Sequence, residues 1–145
     1  MKKAIDTLAE PHILEARVYY EDTDAGGIIY HANFLKFAER GRTESLRTAG
    51  YDHHQIMSKF KLLLVVKHLE IDYKASGRLD DWLKIETVVT EVGNTSLIMH
   101  QRIRRETKVL AELKVVIVAV SPEGKPARWP PQLRQIFLPS SLAEA

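Results

Sequence analysis

Cysteine is missing from the 145-residue sequence, and with it go disulfides, thiolate nucleophiles and zinc sites built on thiolates. An excess of one charge sign is missing too. The 21 Lys and Arg residues stand among 19 Asp and Glu, for a net charge of +2. A nucleic-acid footprint needs basic residues clustered on one face, so nucleic acid is not an expected partner. The longest apolar run, residues 115–120, is far short of the roughly 20 residues that cross a bilayer, and the chain is not expected to be integral to a membrane. Met1-Lys2-Lys3 is followed by a segment holding Asp6 and Glu10, not by the apolar stretch of a secretory signal. These absences fit a protein of the reducing cytoplasm.

What is present is 45% hydrophobic and 28% charged, the balance of a chain that folds by burying a core. No Gly-, Ser- or Pro-rich linker parts it into halves, so residues 1–145 are read as one domain.

Val18, Tyr19 and Tyr20 favour extended backbone, and residues 13–21 are expected to form a first strand. The pattern then breaks at Asp22-Thr23-Asp24-Ala25-Gly26-Gly27, where two glycines permit turns and close approaches. Residues 33–49 take up a helical period and stop at Gly50. Phe34, Ala38, Gly41, Ser45 and Ala49 share one stripe, flanked by Leu35, Phe37 and Leu46, while Lys36, Arg40, Thr43, Glu44 and Arg47 lie opposite. Small residues at the centre of the stripe admit a neighbouring backbone, as where a curved sheet wraps a helix. Arg42 falls inside the apolar arc, where a buried or interfacial ion pair is the expectation.

Strands are expected at residues 60–73, 82–92, 96–105 and 108–120, the last three joined by turns at Gly93-Asn94 and Glu106-Thr107. Residues 62–66 and 115–120 are continuous apolar runs, which suggests strands covered on both faces. One helix covers one face, so the other needs a second subunit, a second sheet or the tail after Pro130; association into dimers or dimers of dimers is the expectation, with a monomer of ordinary strand hydrophobicity as the alternative. Residues 122–139 hold five of the six prolines and a short helix at residues 132–137, as a packed terminal arm. The fold class that results is α+β, an antiparallel sheet of about five strands around one long helix.

Three chemistries could use the loop. Alternating Asp residues open a calcium loop of the EF-hand kind, but Asn33 stands at position twelve where a bidentate Glu is needed. An Asp-x-Asp phosphatase needs a parallel sheet with alternating helices, which this chain lacks. Acyl transfer at a thioester fits better. A single carboxylate can attack that carbonyl or deprotonate a water to do so, while amides at a helix start hold the oxyanion.

The run from Tyr19 to Leu35, with Phe37, Glu39-Arg40, Arg42-Thr43-Glu44 and Leu46-Arg47, resembles the signature of YbgC-like thioesterases. These belong to the hydroxybenzoyl-CoA thioesterase type of hotdog proteins. Ile71-Asp72-Tyr73 and Asp80-Asp81 are similar to that family as well. The resemblance implies a hotdog fold, acyl-CoA hydrolysis without metal or cofactor, and sites at the interface of a dimer, commonly within a tetramer. It places the catalytic carboxylate on Asp24 and a site-lining imidazole on His31, with Gly27, Tyr30 and Ala32 as substrate-contacting positions and a nearby backbone amide polarising the carbonyl.

Plainer uses exist for each residue. Asp24 could stabilise a turn, His31 could begin the helix, and Tyr30 and Asn33 could be packing and helix-start residues. Asp22 is read as structural, His53-His54 as a solvated loop and not a zinc site, and Trp82 and Trp129 as core or interface residues. For the phosphates of CoA, Lys67, Lys74, Arg78, Arg102, Arg104 and Arg128 are candidates. Some relatives use a basic cluster before the last strands, where this chain has Gly93-Asn94-Thr95, so a carrier-protein substrate stays open. Two other readings stand beside hydrolysis: a hydratase or dehydratase on the same fold, and a non-catalytic module binding acyl carriers or serving envelope assembly.

Overall fold

The computed structural model describes residues 8–138; the N-terminal lysines and Pro139 lie outside them. The elements run β1 (His12–Arg17), a 3₁₀ turn (Tyr20–Asp22), α1 (Asn33–Thr48), α2 (His53–Phe60), β2 (Leu63–Tyr73), β3 (Trp82–Val92), β4 (Ser96–Arg105), β5 (Lys108–Val120) and α3 (Pro131–Phe137). The five strands form one antiparallel sheet in the order β1-β3-β4-β5-β2. The expected meander of three strands is present, with Glu106 at φ 52° turning the second hairpin.

The strands alternate as a half-buried sheet requires. Leu83, Ile85 and Val89 of β3, Leu97, Met99 and Ile103 of β4, and Leu113, Val115 and Ile117 of β5 are all buried. Burial of each such side chain contributes about 1.5–3 kcal/mol. Against them α1 turns Phe34, Phe37, Ala38, Gly41, Ser45 and Leu46. A Cβ on Gly41 would lie 2.5 Å from Ile85 Cγ2 and 3.0 Å from Thr87 Oγ1, so the small stripe is what lets helix and strand meet.

A polar clamp fixes the same contact. Buried Gln101 donates through Nε2 to the Ala38 carbonyl at 2.8 Å and to Thr87 Oγ1 at 2.9 Å. Its Oε1 accepts from Arg42 Nη1 at 2.9 Å. Arg42 is therefore bonded to a neutral amide and not to the expected carboxylate. Burial lowers its guanidinium below the ordinary value while nearby Glu39 pulls the other way, and an arginine stays charged throughout.

Two elements depart from expectation. The first strand ends at Arg17, not residue 21, because the Asp22 carboxylate accepts from the Tyr19 amide at 2.8 Å and closes a 3₁₀ turn. The His53-His54 segment is helical, though both imidazoles are exposed. Asp52 accepts from the Gln55 amide at 2.7 Å and the Gln55 side chain accepts from the Asp52 amide at 2.9 Å, a reciprocal cap that starts α2. The apolar run on β2 is open in the single chain: Leu63, Val65 and Val66 are 46%, 44% and 43% exposed, and β2 pairs with β5 alone.

Candidate active site

Asp22 to Tyr30 form a small hairpin. Asp24 N donates to Ile28 O at 2.8 Å, Thr23 bridges Ile29, and Tyr30 N donates to Asp22 O at 3.0 Å. Gly27, at φ 82°, makes the reversal that other residues adopt only with strain. The Asp24 carboxylate is set within this bend. Its Oδ1 accepts from Gly26 N at 2.8 Å, and no described group bonds to Oδ2. The base of the hairpin is pinned by Ile29 N donating to Gly77 O at 2.8 Å.

The helix begins where the hairpin ends. Asn33 Nδ2 donates to the Asp22 carbonyl at 2.9 Å, so one buried amide ties loop to helix. The first helical amides close short turns: Asn33 N to Tyr30 O at 2.8 Å, Phe34 N to His31 O at 3.3 Å and Leu35 N to Ala32 O at 3.2 Å. The amides of His31 and Ala32 donate to no acceptor among the described residues. They form the positive end of α1, where anionic oxygen is favoured.

The five residues expected to form the site, Asp24, Gly27, Tyr30, His31 and Ala32, lie on this hairpin or directly before α1. Asp24 is exposed and, with Gly27, lines a cavity of 430 Å³ walled by Tyr20, Thr23 and Leu79. His31 lines a different cavity of 330 Å³ with Ile28, Phe34, Tyr73 and Lys74. Within the single chain the carboxylate and the imidazole thus face separate spaces. Tyr30 is exposed with its ring 4.5 Å from that of His31, and Ala32 caps α1. Asp22 is buried and structural, as read.

Three features carried no assigned role in the sequence. Tyr73, whose hydroxyl donates to the His31 carbonyl at 3.0 Å, sits inside a motif already noted, which was its only signal. Tyr20 and Leu79 wall the Asp24 cavity; Tyr20 had its place in the Tyr19–Leu35 run as a signal, and Leu79 had none. A cavity of 130 Å³ between α1 and the sheet is lined by Leu46, Leu64, Leu97, Met99, Ile117 and Phe137, with Arg42 and His53 beside them.

Among the six candidate cations, Lys74 lines the His31 cavity. Arg102 and Arg104 are paired with Glu112 and Glu86. Trp129 is buried, with Nε1 donating to Ser96 O at 3.0 Å, whereas Trp82 is 42% exposed beneath Arg17. Asp81 ties the turn before β3 to the end of β4, accepting from Arg78 N at 2.9 Å and Arg105 Nη1 at 2.7 Å. Burial would raise its carboxyl, but those hydrogen bonds and the Arg105 and Arg78 charges outweigh it and hold it below the ordinary value.

Residues 26–112 match the thioesterase superfamily, a span that begins two residues after Asp24. The chain is 43% identical over 122 residues to the acyl-CoA thioesterase YbgC of Haemophilus influenzae, covering 83% of this chain and 90% of that one. It is 44% identical over 116 residues to the acyl-CoA thioester hydrolase YbgC of Escherichia coli, covering 79% and 86%. A probable thioesterase from Bartonella henselae, solved by crystallography, superposes with a TM-score of 0.81 at 37% identity, over 83% of this chain and all of that one.

Proposed function

The chain belongs to the thioesterase superfamily and, within it, to the YbgC-type acyl-CoA thioesterases; from that premise we propose that it hydrolyses acyl-CoA to a carboxylic acid and free CoA, with Asp24 as the reacting carboxylate. The observation that carries the assignment is a half-engaged carboxylate on the short hairpin followed, between that hairpin and α1, by two undonated amides. Gly26 fixes one oxygen of Asp24 and leaves the other for chemistry. The His31 and Ala32 amides supply what a thioester oxyanion requires, two donors with a helix dipole behind them.

Asp24 either attacks the thioester carbon, expelling the CoA thiolate and forming an anhydride that water opens, or takes a proton from the water that attacks. In both routes the proton ends on the CoA thiol, and water supplies the second carboxyl oxygen of the product. Neither route needs a metal. His31, beside the amides, positions the substrate or leaving group. Gly27, Tyr30 and Ala32 contribute backbone and ring surface to the same end.

The apolar cavity under α1 is the space we assign to the acyl group. The open, apolar edge of β2 supports a second copy of the chain as its occupant, since exposed strand edges are normally covered. A dimer formed there would complete a site whose parts face separate spaces in one protomer. None of the helices among the described residues is long and apolar enough to cross a membrane, and we place the enzyme in the cytoplasm.

Purified Asp24→Asn tests the assignment, with thiol release from acyl-CoA as the readout. Turnover should drop by about 10²–10⁴, the range for losing a positioned acid-base group, with the folded signal retained. Near-normal turnover would remove Asp24 from the mechanism. Water addition to an enoyl-CoA without thiol release would favour a hydratase instead.

A further inference from the structure

We infer that Tyr73 is a positioning residue for the reaction, acting through the peptide group that joins His31 to Ala32. This rests on the thioesterase reading above. Tyr73 is the last residue of β2, and its hydroxyl donates to the His31 carbonyl at 3.0 Å across a separation of 42 residues. That carbonyl and the Ala32 N–H belong to one planar trans peptide unit, so they point in opposite directions and turn together. A hydrogen bond that fixes the oxygen therefore fixes the direction of the amide.

The same bond also polarises the peptide. A carbonyl that accepts a hydrogen bond makes its own N–H a stronger donor, because bonds in a chain reinforce one another. The Ala32 amide donates to no described acceptor, so the strengthened donor is directed toward ligand.

The contact is reinforced by ring packing. The Tyr73 ring meets the His31 ring edge-on at 6.2 Å and the Phe34 ring at 5.7 Å. Residue 31 is thus held at its carbonyl and its imidazole together, which also locates its own amide. Tyr73 is 47% exposed, so core packing alone does not account for this set of contacts. Sitting at the end of the open edge strand, it links the strand available for pairing to the first turn of α1.

Tyr73→Phe removes the hydroxyl and keeps the ring. The expected result is a fall in kcat of about 10-fold or more, in line with loss of a hydrogen bond that orients a ligand-contacting group, with KM changed by less than about 2-fold. The Ala32 amide proton should move upfield in the nitrogen-proton NMR spectrum of the free protein, with the dispersion of the remaining spectrum unchanged. An unmoved Ala32 resonance overturns the inference whatever kcat does, and so does an unchanged kcat. The two readings fail separately. A wild-type enzyme inert toward every acyl-CoA tested sinks the hydrolytic function, while an active enzyme indifferent to Tyr73→Phe sinks this inference alone.

Discussion

Asn33 Nδ2 donates to the carbonyl of Asp22 at 2.9 Å, and this bond joins the loop that carries Asp24 to the helix that the His31 and Ala32 amides precede. Tyr30 N donates to the same carbonyl, so one oxygen gathers the base of the hairpin and the first residue of α1. Asn33→Ala leaves a buried carbonyl with one donor fewer. It should lower unfolding stability by about 1 kcal/mol, the net value of such a bond. Hydrolysis should fall by more than stability does, because Asp24 would no longer be held in register with His31. Thermal unfolding and thiol release on the same sample separate the two effects.

Gly41→Ala puts a methyl group 2.5 Å from Ile85 Cγ2 and 3.0 Å from Thr87 Oγ1. An exposed helical glycine would gain about 1 kcal/mol from this change. Here overpacking should dominate and the variant should lose roughly 1–3 kcal/mol. Denaturant unfolding gives the sign directly, and a stabilised variant would mean that α1 does not approach β3 as closely as described.

The Asp81 carboxyl is held below its ordinary value by Arg105 and the Arg78 amide against the opposing effect of burial. A carboxyl with a lowered folded value adds stability that is complete above the unfolded value, near 3.9, and disappears as pH falls through the folded one. Asp81→Asn should therefore be less stable than wild type at neutral pH. The gap should narrow as pH falls below about 4. Urea midpoints of both proteins across that range test it; a constant gap would mean that the charge of Asp81 contributes nothing.

The edge of β2 should carry the dimer contact. Replacing Leu63 and Val65, which are 46% and 44% exposed in the single chain, by Glu should shift the protein toward monomer in analytical ultracentrifugation. Thiol release should fall with it, since the two halves of the site face separate cavities within one chain. A wild-type protein that sediments as a monomer at full activity would remove the second copy from the mechanism.

Much of the local structure around the candidate site was legible because its signals are local. The bend at Asp22-Thr23-Asp24-Ala25-Gly26-Gly27 is built from residues that form turns through their own side chains and glycine's backbone range. The cap that begins α2 is equally local, Asp52 with Gln55 three residues on, yet the paired histidines drew the reading toward a loop. The early end of β1 was harder to see, since Val18, Tyr19 and Tyr20 favour a strand and only the bond from the Tyr19 amide to Asp22 turns the chain away.

The sequence by itself determined the run of extended segments after one long helix, the small-residue stripe of α1, and the placement of one carboxylate beside two glycines just before a helix. These follow from which side of each element is buried, and every residue records its own side. Tertiary structure alone decided what lies across the molecule. Tyr73 reaches His31, Gln101 clamps Ala38 and Arg42, Gly77 pins Ile29 and β2 becomes one of the two edges of the sheet. Those partners are set by the order in which five strands assemble, a property of the whole sheet that no single element's pattern encodes.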